Sequence, residues 1–295
     1  MTNTTARRGP THRIAAALGP LLVSGLVVLG CPQSGHEATD ALDPGPRIVS
    51  LSPIATRFLT QLGLGDRVIA FDRAASEALL EPAVDGPDFD DLGRLDPDYV
   101  FLPALPDDQA DVSALEASGA RIVEFAPHDL EDLFALCHGI GVEVAGEQAV
   151  EAFERRVLRP VAMIAGQSSP TDRLHAVALV GVDPPEIAGG HSFETDLIEI
   201  AGASSLTHGA DDNRRPIDRD GLARMKPDLV VVMTEAPLDA EERERVLDLA
   251  GGIAPIAYFE FARETFWLDE PVREATRLRE VVVSAERERV TAARP

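Results

Sequence analysis

"DDLGRLDPDYVFL" occupies Asp90–Leu102 and "DGLARMKPDLVVV" occupies Asp220–Val232. Each reads Asp, a Leu two places on, an apolar residue three further, then Pro-Asp and an apolar run. Equivalent positions are 130 residues apart throughout. A short helix stopped at Pro and followed at once by an apolar run is a helix-to-strand step. Its recurrence at fixed spacing implies that a whole structural unit recurs.

The flanks carry the same implication. Before the first copy, "RIVSLS" reads as a buried strand and "PIATRFLTQLGLGD" as a helix with Pro at its start and Gly at its stop. "RVIAFD" is the next strand. "YVFLPA", the helix "DVSALEASGA", the strand "RIVEFAP" and the helix "DLEDLFALCHGIGVEVAG" continue the alternation, which predicts an α/β unit with a largely parallel sheet. "GEQAVEAFERRVLRPVAMIAGQ", Gly146–Gln167, then carries no strand signal. It predicts one long helix, about 33 Å at 1.5 Å per residue, with Pro160 inside it. After it the order returns: the strand "RLHAVALVGV", the helix "FETDLIEIAGA" ending at Gly202 as the first ended at Gly63, then "DGLARMKPD", "LVVVM", "EERERVLDLAGG", "IAPIAYFEF" and a closing helix, "PVREATRLREVVVSAERERV". The predicted architecture is two similar α/β lobes, residues 46–145 and 168–295, joined by one long interlobe helix, 146–167, with a ligand cleft between the lobes.

Composition narrows the function. The chain has 295 residues, 45% of them hydrophobic, with 50 Asp and Glu against 27 Lys and Arg and a net charge of −23. That is ample apolar content for a large core. The acidic excess argues against nucleic acid, whose binding requires cationic surface, and against adhesion of the folded body to anionic lipid. Residues 1–30 differ: Arg7, Arg8 and Arg13 without an acid, then an apolar run from Ile14 to Leu29. A basic start and a short apolar stretch describe an export signal peptide rather than a spanning helix. Val28-Leu29-Gly30-Cys31 resembles a bacterial lipobox, which makes Cys31 the expected lipidation site and membrane anchor, with residues 31–45 a polar, Pro-rich tether. The alternative is an ordinary signal peptide with Cys31 incidental. Pro32 is not the Asp that retains some lipoproteins at the inner membrane. Cys137 lies among apolar residues at helical spacing and reads as core.

Taken together, "RIVSLSPIATRFLTQLGLGDRVIAFD", "LDPDYVFL", "GVDPPEIAGGHSFETDLIEIAGA" and "MKPDLVVV" resemble the solute-binding proteins of ABC importers for vitamin B12, ferric siderophores and haem, over residues 46–290. The resemblance implies a lipid-anchored, periplasmic or otherwise extracytoplasmic binding protein, monomeric, without catalytic residues, resident metal or cofactor. Its partners would be a small metal-chelate ligand and an ABC transporter permease dimer with its ATPase. It also implies a role for the repeated acids: Asp90 and Asp220 match the carboxylates that meet permease arginines, with Asp where Glu is usual. Helix capping is the competing account of both. Thr56-Arg57 departs from the Thr-Glu that the family often carries.

"GVDPPEIAGG" most resembles the B12-binding branch, which puts a corrinoid (cobalamin) first, with a ferric siderophore and iron transport or haem next. The chain is thin in aromatics, with one Trp and two Tyr. The candidate cleft residues are Phe71, Pro103, Glu186, His191, Phe193, Arg214, Arg215, Phe266 and Trp267. Core packing competes for Phe266 and Trp267, and simple solvation for the arginines. No histidines stand at close metal-ligand spacing. A hydrolase is the least expected reading, since "GGHSFE" has Glu194 where a nucleophile elbow has Gly. A sensor or scaffold lipoprotein with the same fold and no permease is the alternative.

Overall fold

A computed structural model describes residues 45–71, 94–105, 109–167, 173–261, 268 and 271–292. Cys31, Asp90, Phe266 and Trp267 lie outside the described residues. Within Pro44–Pro295, a single compact unit, the chain builds two sheets.

The first sheet is wholly parallel. β1 (Ile48–Ser50) lies between β2 (Val68–Phe71) and β3 (Tyr99–Leu102), and β4 (Arg121–Glu124) adds to β3. α1 (Pro53–Gln61) connects the first two strands, and α2 (Gln109–Ala117) connects β3 to β4. α3 (Leu130–Ala145) leads to α4 (Glu147–Ala165), the predicted long helix, which contains Pro160.

The second sheet departs from a copy. β5 (His175–Val182) and β9 (Leu229–Thr234) pair in parallel, and β10 (Ile256–Glu260) adds to β9 in parallel. On the other side lies "GVDPPEIAGG", Gly181–Gly190. It is a hairpin: β6 (Pro185–Ala188) runs antiparallel to β5, and β8 (Arg214–Pro216) runs antiparallel to β6. The two-residue β7 (Ser204–Ser205) pairs with the start of β5. α5 (Phe193–Ala201), α6 (Arg219–Met225), α7 (Ala240–Ala250) and α8 (Pro271–Ala292) complete the lobe. Among the described residues, no helix is long and apolar enough to cross a membrane.

The repeated Pro-Asp has a direct structural explanation. In the first lobe the Arg47 N–H donates to Asp98 Oδ2 at 2.7 Å, and the Asp98 N–H donates to the Arg47 carbonyl at 2.9 Å. In the second, the His175 N–H donates to Asp228 Oδ2 at 2.9 Å, and the Asp228 N–H donates to the His175 carbonyl at 2.7 Å. The aspartate thus satisfies the first donor of the strand beside its own, which would otherwise lack a partner at the sheet's end. The preceding residues, Asp96 and Lys226, share left-handed backbone, with φ of 48° and 52°. α1 and α5 also stop alike: Gly63 and Gly202 have φ of 82° and 102°, where a side chain would be strained, and the next N–H reaches back five residues (Leu64 to Leu59, Ala203 to Ile198).

The core crosses from lobe to lobe. α4 buries Val150, Phe153, Val157, Val161 and Ile164 on one face. That face packs against α3 on one side and α5 and α8 on the other. Phe58 of α1 stacks on Phe125 at 5.5 Å and meets Phe153 of α4 edge-on at 5.4 Å. These rings join one apolar cluster that includes Leu197, Ile198 and Leu278 of the second lobe. Truncating a buried ring such as Phe153 to Ala costs about 3–5 kcal/mol at sites of this kind. Cys137 is buried in the same cluster, as expected, and burial pushes its thiol far up.

Candidate functional site

The parallel strands end where helices begin, and in α/β folds that is where ligands collect. β1 passes through Leu51 into Ser52, which caps α1 by accepting the Ala55 N–H. The Ser52 hydroxyl donates to the Phe125 carbonyl at 3.1 Å, which ties the helix start to the end of β4. In the second lobe Ser192 caps α5 by accepting the Thr195 N–H and donates to the Gly189 carbonyl at 2.9 Å. Thr195 donates to the same carbonyl at 2.7 Å. Two serine-capped helices, one per lobe, therefore open onto one cleft of ≈ 560 Å³, within the range of small-molecule sites.

Ser52, Pro53 and Ile54 line one wall, with Pro103 after β3 beside them. Phe125, Ala126, Pro127 and His128 come from the segment between β4 and α3. His191, Ser192, Phe193 and Glu194 face them from the second lobe, with Asn213 and Arg214 at the start of β8. The glycines before His191 permit this wall. Gly189 and Gly190 run beside residues 210–213, with Gly189 N–H donating to the Asn213 carbonyl and Gly190 N–H to the Ala210 carbonyl. A Cβ at Gly189 would stand 2.0 Å from the Asp212 carbonyl oxygen, and one at Gly190 2.2 Å from that of Ala210.

Among the described residues, three polar contacts join α3 and its lead-in to α5 and its lead-in beside this cleft. The Phe193 N–H, first in α5, donates to the His128 carbonyl at 3.0 Å. The Leu130 N–H, first in α3, donates to Asp196 Oδ2 at 2.8 Å. His191 Nδ1 lies 3.1 Å from Asp129 Oδ2, while Asp129 Oδ1 caps α3 through the Asp132 N–H. The hydrogen bond to Asp129 raises the His191 pKa, aided by the charges of Asp129, Asp211 and Asp132. Burial pushes Asp196 up to about 6, opposed by the Leu130 N–H. Burial also raises Glu194, against the pull of Arg214.

Of the candidates read from the sequence, the structure brings Pro103, His191, Phe193 and Arg214 together in the cleft. Glu186 stands outside the lining and pairs with Arg214 at 3.9 Å. Arg215 is engaged by Asp212 at 2.9 Å rather than turned to a ligand. Phe71 ends β2, on the same end of the sheet as Ser52 and Pro103. Sequence reasoning missed Phe125, His128 and Glu194. The serines could have been found, because Ser52-Pro53 and Ser192-Phe193 hold the same place in each repeat. Ser192 is buried and committed at both its donor and acceptor, so it is built as a cap and not as a nucleophile. Asp220 is exposed in the first turn of α6, and the capping side chain there is Asp218, which accepts the Gly221 N–H. Asp220 is therefore not the capping side chain, although its first-turn position suits the helix dipole.

A family model described as periplasmic binding protein matches residues 48–248. The chain belongs to the periplasmic binding protein family. Its members are extracytoplasmic binding proteins rather than enzymes. Among solved structures, the chain is similar to the periplasmic heme-binding protein HutB of Vibrio cholerae, with 17% identity over 80% of this chain and 98% of that one and a TM-score of 0.64. It is similar to an ABC transporter substrate-binding protein of Listeria monocytogenes, with 12% identity over 79% and 98% and a TM-score of 0.63. It is also similar to the vitamin B12 binding protein BtuF of Vibrio cholerae, with 14% identity over 81% and 98% and a TM-score of 0.56. At these identities the likeness is one of fold. No curated protein matches the chain.

Proposed function

We propose that this periplasmic binding protein captures a small metal chelate in the cleft between its lobes and delivers it to an ABC permease dimer, while Cys31 anchors it to the membrane by lipid. The observation that carries this reading is the cleft itself: one serine-capped helix from each lobe opens onto it, over apolar walls of Ile54, Phe125 and Phe193. Such walls suit a flat apolar ring system. Arg214 and the positive helix ends suit carboxylates at its edge. His128 and His191 add two imidazoles. Haem combines all three properties, so it moves ahead of the corrinoid that the hairpin sequence suggests, with ferric siderophores third. Asp220, exposed on α6, serves the permease together with Asp90.

The test is native mass spectrometry of the purified mature protein, followed by titration with hemin, cyanocobalamin and ferric siderophores of the hydroxamate and catecholate types. One of these classes should bind saturably at one site. At a hundredfold excess over its dissociation constant it should stabilise the fold by about 2.7 kcal/mol. If none binds, the transport role gives way to the sensor or scaffold reading.

A further inference from the structure

The two imidazoles of the cleft are not equivalent. Among the described residues the His128 ring makes no hydrogen bond, whereas His191 is held from the opposite lobe. Asp129 is 7% exposed and uses both oxygens: Oδ1 accepts the Asp132 N–H at 2.8 Å, and Oδ2 stands 3.1 Å from His191 Nδ1. A carboxylate can only accept, so Nδ1 must carry the hydrogen. In the neutral ring Nε2 is then bare. The rest of the ring is open, with the side chain 60% exposed, and His191 lines the cleft. The main chain is fixed as well, since the His191 N–H donates to the Asp212 carbonyl at 3.1 Å.

From this geometry we infer that Asp129 is a positioning residue for the ligand: it reaches from the first lobe to fix the tautomer and orientation of His191, so that in the neutral ring a bare Nε2 meets the solute. This rests on the proposed function only for the identity of the solute. A bare imidazole nitrogen is an acceptor. It selects a solute that offers a hydrogen-bond donor or an open coordination position on its metal, and it discriminates against a chelate whose metal is already saturated. Because the carboxylate belongs to the first lobe and the ring to the second, contact with the ligand also tightens the join between them. Outer carboxylates of this kind orient imidazoles in many binding sites.

The test separates positioning from mere stability. Asp129→Ser keeps a good helix cap but cannot reach His191. In Asp129→Asn, with the amide oxygen capping α3, the amide nitrogen would present a donor to Nδ1 and reverse the tautomer. Long-range proton–nitrogen spectra of the ligand-free protein above pH 8 should show His191 with hydrogen on Nδ1 in the wild type and on Nε2 in both variants. With hemin as probe, both variants should bind at least tenfold more weakly. His191→Ala should lose as much, and Asp129→Ser should add nothing to it. The inference is overturned if wild-type His191 carries its hydrogen on Nε2, or if Asp129→Ser weakens hemin equally in the presence and absence of His191. Should Asp129→Ser fail to fold, the wild-type spectrum and Asp129→Asn decide in the same way. If wild-type protein binds neither hemin nor another chelate, the proposed function fails, while the tautomer is still decided by the spectra.

Discussion

Asp196 makes the join between the lobes sensitive to pH. Its carboxylate accepts the first N–H of α3 from within α5, and burial pushes its pKa from 3.8 up to about 6. The folded state therefore holds a proton that the unfolded chain has released between these values. The sign follows from linkage: where the folded state binds more protons, stability falls as pH rises. At about 1.36 kcal/mol for each pH unit, the carboxylate at pH 7.5 costs about 3 kcal/mol relative to its protonated form. Asp196→Asn keeps an acceptor for the Leu130 N–H and removes the charge. It should be more stable than wild type by about 1–3 kcal/mol at pH 7.5, and the gap should close as pH falls towards 4. Asp196→Ala removes the acceptor as well and should lose about 1–3 kcal/mol relative to the Asn variant. Urea unfolding at intervals from pH 4 to 8, read by circular dichroism, gives the comparison. A gap between wild type and Asp196→Asn that is constant with pH would refute the reasoning.

Gly190→Ala should push the wall that carries His191 away from Ala210, since the added Cβ would stand 2.2 Å from backbone; expect a loss of about 1–3 kcal/mol in thermal unfolding and weaker solute binding. Asp98→Ala and Asp228→Ala each remove the strand tie of one lobe and should each cost about 0.5–1.5 kcal/mol by urea unfolding, additively, because the ties belong to separate sheets. Asp90→Arg with Asp220→Arg should abolish most uptake in cells while leaving the Kd of the isolated protein unchanged, because like charges would then meet at the permease. Cys31→Ala should leave the protein unprocessed or free of the membrane fraction, as judged by immunoblotting after fractionation.

The doubled Pro-Asp was legible because a strand tie is local: Asp98 and Asp228 act on the adjacent strand, so sequence spacing records them. Helix ends at Gly63 and Gly202 were legible for the same reason. α4 announced itself by the lack of any strand signal from Gly146 to Gln167, and its apolar face of Val150, Phe153, Val157, Val161 and Ile164 is what the structure adds. The hairpin of β5 and β6 was hidden because its second strand, "PEIA", starts with Pro and is only four residues long. β8 was hidden because Arg214 and Arg215 obscure a strand that pairs only at a sheet edge. The cleft was half legible. Phe193 and His191 follow a glycine pair that needs a close backbone approach, whereas His128 and Asp129 acquire their place only when α3 meets α5. No spacing along the chain records that 62-residue contact.

If a solute occupies the cleft between the serine-capped helices, a substitution that fills the cleft should exclude it. Ile54→Trp places a larger ring in the cleft lining beside Ser52 and Pro53, at a half-buried residue on the edge of the core. Calorimetric titration with the chelate that wild-type protein binds should show one site in the wild type and a Kd at least tenfold weaker in Ile54→Trp, with the ligand-free variant still folded by circular dichroism and unfolding cooperatively in urea. Equal affinity in the two proteins would contradict the account, because the solute would then have to bind elsewhere.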